Sequence, residues 1–272
     1  MRLVFLAILC VQGVFLYAEK PTHLKALVVF DGSRSRLQKY YSLDSKKMET
    51  NLLGIASQTG LLPEIQVAKI GDLTMSTVKT WIKAISPHDV AVFYYVGQES
   101  KPRNGKWPLL SFQGLSRRTC ISQGYLTKLI QQKNPHLALI LLDCYSKVIR
   151  GPTKSFKFAH TVPLQRISTD PDLLGLFLES SGVISACSAR PGKPSFGIYR
   201  DRPIGGLFTS MVQNSLRDGC DTGTSFWSDL KDDITSRCLY LSKKSQKPLI
   251  YKDIRNPFVG EPVPKYRSTT QN

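Results

Sequence analysis

Residues 89–99 read DVAVFYYVGQE and residues 137–146 read LALILLDCYS, and these two stretches decide the fold of the chain. Each is an unbroken apolar run that ends in polar residues, which is typical of a strand buried on both faces of a parallel sheet. Shorter apolar runs of the same kind occur at Ala26 to Phe30, Ile65 to Ile70 and Gly182 to Cys187. We therefore expect a sheet of five buried strands, with Leu249 to Lys252 as an added edge strand.

Amphipathic helices are predicted between and after these strands. Apolar residues recur at the spacing of a helix face in segments 48–56, 78–85, 126–130, 207–216 and 227–234. Buried strands that alternate with such helices need helices on both faces of the sheet. The sequence therefore predicts an α/β fold, a three-layer α/β/α sandwich whose central sheet is mostly parallel and has about six strands.

One domain accounts for residues 19–258, because no linker long enough to separate two domains interrupts them. The tail at 259–272 is basic, lacks periodicity and is predicted to be disordered. Cys144 to Pro171 contains few periodic apolar positions and is interpreted as a long loop.

The N-terminus has the pattern of a signal peptide at residues 1–18. Met1-Arg2 precedes an apolar run that extends to Tyr17, and Ala18 stands before the charged pair Glu19-Lys20. This run is shorter than the roughly 20 residues that a membrane-spanning helix needs. We expect export to a periplasm or out of the cell, with a membrane tether through an uncleaved N-terminus as the alternative, and no transmembrane span in the mature chain.

The charge balance is strongly basic. The chain carries 37 Lys+Arg against 20 Asp+Glu, a net charge of +17, and loss of residues 1–18 removes only one of these charges. Such a surface attracts acidic partners. The basic residues lie in short clusters without a recognition helix or a stacking motif, so no specific nucleic-acid binding is expected.

Six cysteines are scattered along the chain without a C-x-x-C pair or finger-type spacing. The sequence therefore predicts no metal site and no cofactor. Removal of the signal peptide takes Cys10 away, and the odd number that remains leaves at least one thiol without a partner in its own chain.

Candidate site residues follow the two long apolar strands. Gly97, Gln98 and Glu99 come directly after the first of them, and Asp143 to Ser146 end the second. Ligands of open parallel sheets bind beyond the carboxyl ends of the strands. These residues are therefore the first candidates for a functional site.

The same residues resemble motifs of the caspase and metacaspase family of cysteine peptidases. Bacterial members of that family carry Y-Y-S-G-H-G after the third strand and D-x-C-x-S-G after the fourth, which Tyr94-Tyr95-Val96-Gly97-Gln98 and Asp143-Cys144-Tyr145-Ser146 resemble. Three later segments also resemble family motifs, in the same order: Val183 to Ser188, Gly205 to Thr209 and Gln246 to Pro248. The resemblance covers roughly residues 24 to 255 and implies the caspase-like sandwich.

Both catalytic positions differ from the family. Gln98 stands where the resemblance places the histidine, and Tyr145 stands where it places the cysteine nucleophile. An amide cannot accept and return a proton near neutral pH, and a phenol is a poor acyl acceptor. The resemblance thus implies an inactive relative that keeps a crevice for a protein or peptide.

Asp143, Gly97 and Ser146 are the expected partner contacts in that crevice, together with the two altered positions Gln98 and Tyr145. The resemblance implies that Asp143 lines a pocket for a basic side chain. The alternative is that this carboxylate only accepts hydrogen bonds from the neighbouring loop.

Two other functions remain open. The chain could be an active cysteine endopeptidase that uses Cys144 together with His160, which lies in the long loop and could fold back towards it, although Cys144 should point away from Gln98. It could also adhere to membranes or nucleic acid by charge alone. If the sheet order follows the family, Cys144 and Cys187 end adjacent strands and a disulfide between them becomes a hypothesis.

Overall fold

The computed structural model describes residues 20–32, 36–98, 108–111, 120–145, 147–150, 171–189, 193–199, 202–222 and 227–255. The predicted signal peptide at 1–18 and the predicted tail at 259–272 lie outside the described residues. Ser146 and His160 lie outside them as well.

The described part of the chain contains strands and helices that alternate along its first half. The strands are β1 (His23–Phe30), β2 (Leu62–Lys69), β3 (Asp89–Gly97), β4 (Leu109–Ser111), β5 (Cys120–Ser122), β6 (Leu137–Cys144), β7 (Lys147–Arg150), β8 (Ser181–Cys187), β9 (Phe196–Tyr199), β10 (Pro203–Gly206) and β11 (Leu249–Arg255). The helices are α1 (Gln38–Thr59), α2 (Met75–Lys83), α3 (Gln123–Gln131), α4 (Pro171–Leu174), which continues as a π-helical turn over Gly175–Glu179, α5 (Leu207–Thr222) and α6 (Trp227–Leu241).

Six strands form the central sheet in the order β11-β8-β6-β3-β1-β2. All neighbouring pairs are parallel except β11 with β8, which is antiparallel and forms one edge. Every residue of β3 and β6 is buried, as their continuous apolar sequences predict. The predicted α/β class and the mostly parallel six-stranded sheet are confirmed.

Helices cover both faces of this sheet. Helices α1, α5 and α6 enclose one core with the side chains of Tyr94 and Leu141, whereas α2 and α3 enclose the other with Phe93 and Leu142. The alternation of Tyr94 with Phe93 and of Leu141 with Leu142 is the two-residue period of a strand. The three-layer sandwich follows because each strand has an apolar side chain for each core.

Two small sheets lie beside the central one. Strands β10, β9 and β7 form a three-stranded sheet, and β4 pairs with β5. The prediction of a loop from Cys144 to Pro171 is wrong at Lys147–Arg150, where β7 pairs in parallel with β9. A strand of four residues is too short to show a period in its sequence. Its hydrogen-bond partner also lies almost 50 residues further along the chain, so no hairpin pattern indicates it.

Within the described ranges, no helix combines the length and the apolar character that crossing a membrane would require.

Candidate functional site

Gln98 and Tyr145 directly follow the neighbouring strands β3 and β6 at the carboxyl edge of the sheet. Gly97 of β3 and Cys144 of β6 are paired in register, and Gln98 and Tyr145 are the next residue of each chain segment. The side chain of Gln98 is exposed, and its backbone carbonyl accepts a hydrogen bond from the Tyr95 hydroxyl at 2.8 Å. The structure therefore brings together the two residues that the sequence resemblance places at catalytic positions.

Tyr145 is an interior residue, 1% exposed. Its hydroxyl donates to Asp44 Oδ2 at 2.8 Å, and its backbone carbonyl accepts from the Tyr41 hydroxyl at 2.6 Å. Its ring meets the Tyr41 ring edge to face, with centroids 5.0 Å apart. Burial, reinforced by the charge of Asp44, raises the pKa of Tyr145 well above the ordinary phenol value. This phenol stays protonated and cannot act as a nucleophile.

Asp143 is also completely buried. Its Oδ2 accepts hydrogen bonds from the Thr209 amide at 2.9 Å and from the Thr209 hydroxyl at 2.7 Å. The Thr209 hydroxyl is also hydrogen-bonded to the Tyr94 hydroxyl at 2.7 Å. Burial raises the pKa of Asp143 to about 6, although the bonds from Thr209 oppose the shift. The carboxylate ties the end of β6 to the first turn of α5.

Asp44 completes this buried cluster, and our sequence reasoning missed it. It lies near the start of α1, and its Oδ2 accepts from the Gly206 amide at 2.7 Å as well as from Tyr145. Burial and then the charge of Asp143 raise the pKa of Asp44 to about 8, while Lys47 opposes the shift. The one available signal is that Asp44 lies one turn before Met48, on the apolar face of the helix.

The glycine pair at 205–206 passes between the two carboxylates. A Cβ on Gly205 would lie 1.9 Å from Asp44 Oδ1, and a Cβ on Gly206 would lie 1.9 Å from Asp143 Oδ2. Gly205 also has a φ of +122°, which L-residues rarely adopt. These two positions need glycine because the backbone must approach both carboxylates, which gives a structural reason for the glycines at the start of the Gly205 to Thr209 segment.

Cys144 lies on the other face of the sheet. It is 8% exposed and packs in the core under α2 and α3, whereas Tyr145 packs in the core under α1. The described histidines His23, His88 and His136 all stand at the amino-terminal edge, and the eight residues of β6 place His136 roughly 26 Å from Cys144. Within the described part of the chain, no imidazole lies near this thiol.

The hypothesis of a disulfide between Cys144 and Cys187 is contradicted. Strands β6 and β8 are neighbours, but Cys187 is paired in register with Leu142, two residues before Cys144. The structure carries both residues as thiols, and Cys187 Sγ donates to the Ala189 carbonyl at 3.0 Å. The stagger of two residues adds about 6.6 Å along the strand, which puts the Cα atoms beyond the reach of a disulfide.

Two cavities lie away from this edge. A small apolar cavity of about 40 Å³ lies between the sheet and α1, α5 and α6. A polar one of about 400 Å³ lies at the opposite edge beside His88 and His136. Among the described side chains, no group of three or more His, Cys, Asp or Glu is placed to hold a metal ion.

Comparison with solved structures finds chains of similar overall shape. A structural-genomics protein from Geobacter sulfurreducens is 13% identical over 84% of this chain and 92% of its own, with a TM-score of 0.48. Caspase-1 from Spodoptera frugiperda is 12% identical over 86% of this chain and 88% of its own, also with a TM-score of 0.48. No protein-family model and no curated protein sequence matches the chain. At these identities and scores, neither structural likeness assigns an activity to this chain.

Proposed function

We propose that this chain is an exported, caspase-like protein without peptidase activity that binds a protein or peptide at the carboxyl edge of its sheet. The support for the family relationship is the set of five motifs in order along roughly residues 24 to 255, together with the juxtaposition of Gln98 and Tyr145. The support for export is the sequence of residues 1–18.

The burial of Tyr145 is the observation that carries the proposal. A peptidase of this type needs a thiolate at the end of the fourth large strand, within reach of an imidazole. Here a protonated phenol fills that position and donates to Asp44. The neighbouring thiol of Cys144 faces the opposite core.

The roles of the predicted contact residues differ in this proposal. Gln98 is exposed and offers its amide to a partner, whereas Asp143 and Tyr145 are buried beneath it and support the edge from within. Gly97 is buried as the last residue of β3. The positive net charge favours a partner with acidic residues.

Peptidase activity is tested with the whole mature chain. We expect no hydrolysis of reporter peptides that end in Arg, Lys or Asp. We also expect Cys144 to resist iodoacetamide below neutral pH, because a buried thiol outside a catalytic pair is not a thiolate there. Hydrolysis that is abolished by Cys144→Ser would refute inactivity and establish the cysteine endopeptidase alternative.

Partner binding is tested with acidic, neutral and basic peptides of equal length, measured by fluorescence anisotropy. Gln98→Glu should weaken binding of the acidic peptide several-fold, since it places a negative charge in the proposed contact. Gln66→Glu makes the same charge change at an exposed glutamine of the distant edge strand β2 and serves as the matched control. Equal losses in both variants would instead favour adhesion by net charge alone.

Export is tested by the mass of the protein recovered outside the cytoplasm of an expressing bacterium. We expect the recovered chain to begin at Glu19. A recovered chain that still contains residues 1–18 in the membrane fraction would support the tethered alternative.

A further inference from the structure

A turn that is tied to the rest of the chain by buried hydrogen bonds joins α6 to β11 and displays three lysines. We call residues 242–248, with the sequence SKKSQKP, the lysine turn; Lys243, Lys244 and Lys247 are exposed in it. Gln246 holds the turn in place: it is completely buried, its Nε2 donates to the Ser188 carbonyl at 3.1 Å, and its Oε1 accepts from the Phe196 amide at 2.9 Å. The lysines are therefore presented on a fixed backbone.

Two of these lysines adopt a backbone conformation that L-residues avoid. Lys243 has a φ of 52° and Lys244 a φ of 65°. The Lys243 amide donates to the Tyr240 carbonyl and the Lys244 amide to the Leu239 carbonyl, which is the helix ending in which glycine is the usual residue at the first left-handed position. A glycine there would end the helix equally well without strain.

The helix dipole does not explain this choice of residue. A positive charge near the end of α6 is favourable, but the same benefit is available from any position of the last turn. Residues that break a local rule without a structural gain are expected at functional positions. The strained lysines therefore indicate a surface that needs their charge.

The surroundings of the turn are basic and partly aromatic. No Asp or Glu occurs from Cys238 to Lys252, so no neighbour in sequence neutralises the lysines. Lys193 is exposed three residues before Phe196, the residue to which Gln246 is bonded. Tyr240 is 78% exposed one turn before the left-handed pair. The turn thus combines the charged ammonium groups of the lysines with the Tyr240 side chain, which has an apolar ring and a polar hydroxyl end.

We propose that the lysine turn is a docking surface for a membrane that contains anionic lipid. Lysine clusters attract anionic headgroups, and tyrosine rings settle at the headgroup level of a bilayer. The cluster contains no arginine, which is the residue that recognises phosphates of nucleic acid by paired hydrogen bonds. The turn lies at the same carboxyl edge of the sheet as Gln98, three strands away in the order β11-β8-β6-β3, and membrane docking by the lysines does not require the peptide binding proposed above.

The test measures sedimentation of the mature chain with vesicles of phosphatidylcholine alone or with 30% phosphatidylserine. The variant Lys243→Gly/Lys244→Gly/Lys247→Gln removes three charges and keeps a residue that fits the left-handed turn. We expect it to bind the anionic vesicles about 100-fold more weakly, the effect of three lysines at a lipid surface. Uncharged vesicles should bind neither protein.

The matched control is Lys79→Gln/Lys83→Gln/Lys128→Gln, which removes three exposed charges from α2 and α3 in the opposite layer. It should lose less than about tenfold, because charges further than a Debye length of about 8 Å from the membrane are screened. Tyr240→Ser should weaken vesicle binding a few-fold without changing its dependence on salt. Equal losses in the two triple variants would overturn the proposal. The proposal would also be overturned if the protein bound a glutamate oligomer or an oligonucleotide as tightly as it binds vesicles and if Tyr240→Ser left that binding unchanged.

Discussion

Replacement of Asp44 by asparagine should make the stability of the protein less dependent on pH between about pH 4 and pH 8. Asp44 is completely buried, and it faces Lys47 from its own helix, Asp143 and Tyr145 from the end of β6, and Tyr94 from β3. Burial and the charge of Asp143 raise its native pKa to about 8. Asparagine keeps the shape of the protonated carboxyl group and its acceptor for the Gly206 amide.

The sign of the effect follows from proton binding. An aspartate in the unfolded chain has a pKa near 4, so between about pH 4 and pH 8 the native state binds a proton that the unfolded state has lost. The stabilisation is therefore complete below about pH 4 and is lost as the pH rises towards 8. One proton gives a slope of at most about 1.4 kcal/mol per pH unit, so wild type should lose about 2–3 kcal/mol between pH 5 and pH 7 from Asp44 alone.

Urea unfolding at pH 5, 6, 7 and 8 measures this slope. Asp44→Asn should show a smaller decline of the unfolding free energy than wild type across that range. Asp232→Asn, at an exposed position of α6, should follow wild type. Parallel curves for wild type and Asp44→Asn would show that Asp44 is ionised in the native state, and the account of the buried cluster would then be refuted.

Three further substitutions test the same structure by equilibrium unfolding at pH 6. Tyr145→Phe should lower the unfolding free energy by about 1–3 kcal/mol, because Asp44 loses a buried donor while the ring packing is kept; an unchanged stability would mean that the hydroxyl is solvated. Gly206→Ala should cost about 3 kcal/mol or more, since its Cβ would lie 1.9 Å from Asp143 Oδ2 and 2.8 Å from Tyr145 Cε1, and a loss below 1 kcal/mol would contradict this close approach. Lys243→Gly should raise stability by about 1 kcal/mol through relief of the left-handed conformation, with Lys247→Gly as the control in which no such gain is expected.

The buried carboxylates make this edge of the sheet different from the open crevice that the sequence predicts. The sequence predicts Asp143 and Tyr145 as contacts of a bound partner, but both side chains bond to other parts of the chain. The difference arises from α5, whose Thr209 bonds to Asp143, and from α1, which brings Asp44 and Tyr41 against Tyr145. The groups from α1 lie about 100 residues earlier in the chain, and no local pattern around Tyr145 indicates them.

Local chemistry was sufficient to predict the layers of the fold. The unbroken apolar runs of β3 and β6 need cover on both faces, and the helix-spaced apolar residues of α1 and α2 supply it, because burial of apolar surface depends on pattern alone. The adjacency of Gln98 and Tyr145 followed for the same reason, since parallel strands end at one edge of their sheet. In contrast, the partners of Asp44, the stagger between Cys144 and Cys187 and the short strand β7 were decided only by the tertiary structure. Each depends on which distant segments meet and in what register, and hydrogen bonds between such segments leave no periodic trace in a sequence.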